Sequence, residues 1–168
     1  MSVSIQPVSA TNVDFSIMIR LNIMTKEALQ RMIDGTKQER LFLAEQSFML
    51  FAIYYFQEYF KYPVADFHED FNNDLHDLIN GDIREVAWIA FRESAKTSYA
   101  KLFIIWLIAF QKRKYINVDS FDRENAERIL FDIAFEMVNN TRLRADFGVL
   151  FSKERGIQDI KQNRIDNF

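Results

Sequence analysis

The sequence predicts an α/β protein in which a short parallel sheet is flanked by helices and follows an N-terminal helical extension. Apolar residues recur at spacings of three and four along most of the chain, which indicates amphipathic helices. Two short apolar runs, 84–91 and 115–118, lack that spacing and favour strands buried on both faces. A helical pattern between them fits the right-handed crossover that joins two parallel strands. We therefore expect a helical region over 1–62 and a partial α/β domain over 63–168.

The helices are predicted from this spacing and from residues that begin or end a helix. Residues 1–23 have no clear period and are expected to form an extended lead. A short helix is predicted after Thr25 and ends at Gly35, and one long aromatic-rich helix over 37–61 is stopped by Pro63. Further helical segments, the last one short and ended by Gly148, are predicted at 66–79, 97–112, 122–140 and 141–147.

Composition excludes several classes of protein. The chain has 168 residues, of which 49% are hydrophobic and 27% charged, so a disordered or collagen-like chain is excluded. There is no cysteine, which removes disulfide scaffolds, thiolate metal sites and cysteine nucleophiles. The most apolar run, 102–110, is shorter than the roughly 20 residues that span a bilayer, and no signal peptide is recognisable. We expect a cytoplasmic protein without a membrane partner.

The motif that carries chemistry is A-F-R-E-S-A-K-T, residues 90–97, between the first predicted strand and a helix. It has the spacing of the phosphate-binding pattern G-x-x-x-x-G-K-[ST], with alanine in place of both glycines. Backbone N–H groups at a helix start bind anions, so we expect this loop to bind the phosphates of ATP. The nucleotide-binding residues are expected to be Arg92, Glu93, Ser94, Ala95, Lys96, Thr97 and Ser98, which we call the phosphate loop.

Each polar residue of the phosphate loop has an expected role. Lys96 would reach the β- and γ-phosphates, and the Thr97 hydroxyl would hold Mg²⁺. Arg92 would stabilise charge in the transition state, and Glu93 would point outward or orient a water. Alanine at position 95 is tolerated if its φ is negative, because only a left-handed backbone needs glycine. The alternative is that Lys96 is a solvated lysine near a helix start.

F-R-E-S-A-K-T-S-Y-A after a strand resembles the variant phosphate loop of phage terminase large subunits, the motors that package DNA into proheads. Upstream, P-V-A-D-F-H-E-D-F (63–71) resembles the aromatic element that contacts adenine in that family, which implies an adenine contact for His68. Downstream, residues 120–133 and A-D-F-G (145–148) resemble the segment that follows the loop. The resemblance covers about residues 60–150.

The resemblance implies a partial P-loop NTPase core and the ATP-binding N-terminal portion of a packaging motor. It implies catalytic roles for Arg92 and Lys96, with ATP and Mg²⁺ as cofactors. It also implies DNA and the portal or small terminase subunit as partners of the full-length protein, a possible homo-oligomer, and the host cytoplasm for a phage-encoded chain. The family's Asp-Glu strand end and acidic nuclease cluster are not recognisable, so hydrolysis by this chain is left open. We expect a truncated frame, a split gene or a fragment.

The alternative is a non-enzymatic helical protein-interaction module in which the phosphate-loop match is accidental. The long aromatic helix over 37–61 supports it, because such a helix packs against a partner as readily as against its own core. Other candidates also have two interpretations. Asp119 would approach the metal or lie at the surface, and His68 would contact adenine or lie near a helix start. The basic cluster 112–114 would complete a helix end or contact DNA.

Overall fold

The computed structural model describes residues 23–60 and 65–150 of the chain. Within these ranges the regular structure consists of seven α-helices and one short 3₁₀ helix, Gln57–Tyr59. The helices are α1 (Ile23–Asp34), α2 (Lys37–Gln46), α3 (Phe48–Tyr55), α4 (Asp66–Asn80), α5 (Lys96–Ala109), α6 (Arg123–Asn139) and α7 (Thr141–Phe147).

The predicted α/β class is wrong for the described residues, which are helical and contain no strand. Segments 84–91 and 115–118 are neither helix nor strand, and the backbone N–H groups of 84–91 and 115–117 donate no well-aligned hydrogen bond to another described backbone group. A strand exists only through such bonds to a neighbour, so apolar composition alone did not produce a sheet. The partial P-loop core with a parallel sheet is therefore not supported.

The segment 84–91 still alternates between two faces. Val86, Trp88 and Ala90 are half-buried, whereas the residues between them are exposed. The Trp88 ring stacks on Phe71 of α4 at 4.3 Å between centroids, and its indole N–H donates to Asp74 at 2.8 Å. The segment therefore lies along α4 through one face instead of pairing with the second segment.

The predicted helices after Ala65 are confirmed to within three residues at each end, and the short helix before Gly35 is also confirmed. The single helix predicted over 37–61 is wrong, because it breaks at Ser47 into α2 and α3. Ser47 has an extended backbone, and its hydroxyl accepts a hydrogen bond from the Leu50 N–H at 3.3 Å. A serine that caps a helix in this way competes with helix continuation.

Three sequence-based expectations lie outside the described residues. These are the extended lead predicted over 1–23, of which only Ile23 is described and begins α1, the helix stop at Pro63, and the boundary between the two predicted regions at 62 and 63. The division into two regions stays a prediction.

The core is built from aromatic side chains of α3 and α5. Both helices are apolar on nearly every face. This composition suits the position of α3, which packs against α1, α2, α4 and α5. Phe48 contacts the rings of Tyr99, Phe103 and Trp106 edge-on, at centroid distances of 5.5 to 6.1 Å. The Trp106 indole N–H donates to the Ala44 carbonyl at 2.9 Å, so the polar group of this buried ring is paired. The start of α5, where the phosphate loop ends, is therefore fixed to the core.

A buried ion pair joins the beginning and the end of the described chain. The Nε and Nη2 groups of Arg40 donate to the Asp146 carboxylate at 2.7 and 2.9 Å, and the Tyr55 hydroxyl donates to it at 2.7 Å. Burial by itself raises the pKa of Asp146, but these bonds more than offset it and the pKa lies below its ordinary value. This carboxylate stabilises the packing of α2, α3 and α7.

Candidate phosphate-binding loop

The phosphate loop has an unusual backbone. Glu93 and Ala95 both lie in the left-handed region, with φ of 67° and 60°. Residues with a Cβ occupy this region at a cost of roughly 1–2 kcal/mol each. From the sequence we expect alanine to be tolerated at position 95 only with a negative φ, and the φ of Ala95 is positive. The loop therefore has a backbone shape that glycine would adopt without strain. A strained backbone conformation persists only where contacts with the surrounding structure hold it in place.

Lys96 is one source of such contacts. Its ammonium donates to the carbonyls of Ala90 and Phe91, both at 2.9 Å, and to the Ser94 hydroxyl at 3.2 Å. These three bonds use all three ammonium donors. The side chain thus folds back over the loop, and its charge lies next to the segment that precedes α5.

Ser94 is the anchor of the loop, with only 2% of its surface exposed. Its carbonyl lies 3.2 Å from Nε2 of His68, and Nδ1 of the same ring accepts from the Ala65 N–H at 3.1 Å. The His68 ring also stacks on Tyr99 at 4.8 Å with an interplanar angle of 4°. Burial lowers the pKa of His68, an effect that the Ser94 carbonyl partly offsets. The described contacts of His68 are with the loop and two helix starts, and its adenine contact stays a prediction.

Backbone donors are available at the start of α5. The N–H groups of Ala95, Lys96, Thr97 and Ser98 find no well-aligned acceptor among the described residues. They are the donors that every α-helix leaves unpaired at its first turn, and they concentrate positive potential there. The side chains of Arg92, Glu93 and Thr97 are exposed and make no hydrogen bond or ion pair with another described residue.

The residues at the start of α5 supply only part of the coordination that Mg²⁺ requires. The Thr97 hydroxyl is exposed at the first turn of α5 and is free of described partners. Within 23–60 and 65–150 there is no group of three or more histidine or acidic side chains that could hold a metal ion. Mg²⁺ commonly keeps waters and takes phosphate oxygens beside one or two protein ligands, so Thr97 would serve only together with a bound triphosphate.

The other charged candidates make ordinary structural contacts. Asp119 accepts from the Asn117 amide at 2.8 Å and is exposed. Lys112 pairs with Glu45 at 3.3 Å and lies over the Trp106 ring at 4.9 Å. Arg113 donates to the Ile79 carbonyl at 3.1 Å, which satisfies an acceptor at the end of α4. These contacts fit the helix-end interpretation of the basic cluster 112–114.

Sequence reasoning missed several structural roles. His76 accepts a hydrogen bond from the Phe48 N–H at 3.3 Å and thereby satisfies a donor freed by the break at Ser47. The contact between His68 and Ser94 joins residues 26 positions apart. Neither pair has a local sequence signal, because both depend on how α4 packs against the rest of the chain.

A polar cavity of about 440 Å³ lies elsewhere, where the 3₁₀ helix meets α6 and α7. Its lining includes Gln57, Glu136, Asn139 and Arg142, and the Tyr59 hydroxyl donates to Glu136 at 2.7 Å. Burial raises the pKa of Glu136. No residue of the predicted site lines this cavity. A ligand that binds in the cavity can therefore be distinguished from one that binds at the phosphate loop.

No protein family model matches the chain, and no curated protein or solved structure is significantly similar to it. The class of the protein is therefore argued from its residues alone. Among the described helices, none combines the length and the apolar character needed to cross a bilayer.

Proposed function

We propose that the phosphate loop binds the triphosphate of ATP. One observation carries the proposal: at the start of α5, four N–H groups and the Thr97 hydroxyl find no partner among the described residues, and they lie on a loop that also contains Lys96. Donors, a cation and a hydroxyl at one helix start are the groups that recognise a phosphate chain and its magnesium ion. The proposal no longer draws support from a sheet.

In this proposal Lys96 exchanges carbonyl contacts for phosphate oxygens. Its present partners, the Ala90 and Phe91 carbonyls, are neutral acceptors. Phosphate oxygens are charged acceptors and form stronger bonds with an ammonium, so the exchange favours the bound state. Arg92, exposed at the start of the loop, adds a second cation for the terminal phosphate. Ser94 stays with the loop framework, because its side chain is buried.

The test is titration of the full chain with a fluorescent ATP analogue and Mg²⁺. Lys96→Ala removes a charge-assisted contact and is expected to weaken binding roughly tenfold to a hundredfold. Lys114→Ala is the matched control, since it deletes the same charge from an exposed residue outside the loop. Thr97→Ala should reduce the dependence of affinity on Mg²⁺. Equal affinities for Lys96→Ala and the wild type would contradict the proposal.

On the resemblance of residues 60–150, we further propose that the chain is the ATP-binding portion of a terminase large subunit that packages viral DNA. Its partners would then be DNA and the portal or small terminase subunit through the full-length protein, together with further copies of itself in a homo-oligomer, in the host cytoplasm. The coding DNA after codon 168 tests this. A continuing frame with an apolar strand ending in Asp-Glu would support it, whereas a stop codon with no such strand encoded nearby would contradict it.

A second candidate is a non-enzymatic helical interaction module. The all-helical character of the described residues favours this candidate more directly than it favours an ATPase. Large apolar side chains are also exposed in segment 84–91 and between α5 and α6: Ile89 is 100%, Tyr115 94% and Phe121 92% accessible. Saturable binding of the ATP analogue that Lys96→Ala abolishes would decide against this candidate. No binding by the wild-type chain would favour it.

A further inference from the structure

The backbone around Ser94 needs external support. Ser94 lies between two left-handed residues, Glu93 and Ala95. The contacts that Lys96 makes reach the Ala90 and Phe91 carbonyls and the Ser94 hydroxyl, but not the Ser94 carbonyl. That carbonyl belongs to the peptide unit that also contains the Ala95 N–H. Because a trans peptide is planar, its C=O and N–H point in opposite directions, and whatever fixes one fixes the other.

Among the described residues, His68 is the donor to this carbonyl. Its Nδ1 accepts from the backbone N–H of Ala65, a group that can only donate. We assign the proton of the neutral ring to Nε2 on this basis, and Nε2 then donates to the Ser94 carbonyl at 3.2 Å. The parallel stack on Tyr99 fixes the ring plane. One imidazole thus connects the first turns of α4 and α5 to the loop between 91 and 96.

We infer that His68 is a positioning residue of the phosphate loop, which orients the Ala95 N–H for a phosphate by binding the carbonyl on the other side of the same peptide. The inference rests on the proposed phosphate binding. It differs from the expected adenine contact, because both ring nitrogens of His68 already contact protein backbone. Without this donor, the Ser94 carbonyl loses its described hydrogen bond, and the direction of the Ala95 N–H is less restricted.

Three variants of the full chain separate positioning from general stability. His68→Ala removes both bonds. In His68→Gln the amide oxygen can accept from Ala65, as glutamine does at this position of a capping box, and the amide nitrogen can donate to Ser94. Asp122→Ala is the matched control, since it removes one capping bond from α6, made to the Asn125 N–H at 2.6 Å, and leaves the loop intact.

The first measurement needs no nucleotide. Amide hydrogen exchange and the ¹⁵N NMR shifts of Ala95 to Ser98 are expected to change in His68→Ala, to return towards wild type in His68→Gln, and to stay unchanged in Asp122→Ala. The second is affinity for the fluorescent ATP analogue, which should fall roughly threefold to tenfold in His68→Ala only, the range expected for one neutral hydrogen bond.

The outcomes distinguish this inference from the proposed function. Unchanged loop amides in His68→Ala would overturn the positioning role whether or not the nucleotide binds. Changed amides together with an unchanged ATP affinity would overturn the role of His68 in binding while leaving phosphate binding itself intact. A wild-type chain that binds no ATP analogue would overturn the proposed function, and the role of His68 in it. An affinity for the ATP analogue that falls equally in His68→Ala and Asp122→Ala would mean that His68 affects binding only through the stability of the fold, which would overturn its positioning role.

Discussion

Replacing Ala95 by glycine tests the unusual backbone of the phosphate loop. Ala95 has φ 60° and ψ 10°, where a residue with a Cβ is strained by roughly 1–2 kcal/mol. Glycine removes this strain but loses about 0.5–1 kcal/mol through the larger entropy of the unfolded chain. The half-buried methyl group contributes about 0.4 kcal/mol, half of the value for a fully buried one. The free energy of unfolding of Ala95→Gly should therefore lie between about 0.4 kcal/mol below and about 1.1 kcal/mol above that of the wild type.

The matched control is Ala100→Gly, in the exposed interior of the same helix. There the backbone is helical, so glycine has no strain to remove and should lower stability by about 1 kcal/mol. Urea denaturation followed by circular dichroism measures both variants against wild type. Losses of about 1 kcal/mol in both variants would refute the left-handed backbone at Ala95, and with it the loop geometry on which the proposed function depends.

Three further predictions concern the buried carboxylate, the pH dependence that it causes, and the chemistry of the loop. Asp146→Ala leaves Arg40 and Tyr55 without their partner and should lower the free energy of unfolding by about 3 kcal/mol in urea titration, and an unchanged midpoint would contradict this. The pKa of Asp146 in the folded chain lies below its ordinary value. Its contribution to the free energy of unfolding is therefore complete above about pH 4 and is lost as the pH falls through the lower, folded pKa. The stability of Asp146→Ala should lack this pH dependence. The chain alone should bind ATP without turnover, since the sequence has no recognisable Asp-Glu strand end to order the metal and activate water. Steady hydrolysis that disappears in Glu93→Gln or Asp119→Asn would contradict this.

Most helices could be predicted because their signal is local. The spacing of Ala126, Ile133 and Met137 is enough to place the buried face of α6, and all three are buried. The break at Ser47 could not be predicted from spacing, because the apolar pattern continues through it. Whether a serine continues a helix or caps a new one depends on a partner for the freed N–H of Phe48, and that partner is His76 from another helix.

The missing sheet has a similar cause. The run 84–91 was predicted as a strand from its composition, and its side chains do alternate between two faces. A ladder, however, requires a second backbone at about 5 Å, which composition does not specify. Trp88 instead packs on Phe71 and bonds to Asp74, both in α4.

The candidate site could be located but not described from the sequence. Lys96 and Thr97 do lie at the first turn of a helix, as the motif predicts. The left-handed backbone at Ala95 was not foreseen, since alanine gives no signal for it. The partner of the Ser94 carbonyl depends on how α4 packs near the loop, and only the three-dimensional structure supplies it.

The most direct measurement maps where a phosphate chain binds. Two-dimensional ¹⁵N NMR spectra of the full chain are recorded during titration with Mg²⁺–ATP and, separately, with inorganic tripolyphosphate. The proposed function predicts that both ligands shift the amides of Ala95, Lys96, Thr97 and Ser98, and that Lys96→Ala abolishes these shifts at the same ligand concentration. Shifts confined to 139–142, beside the polar cavity, or no shifts at all, would contradict phosphate binding at this loop.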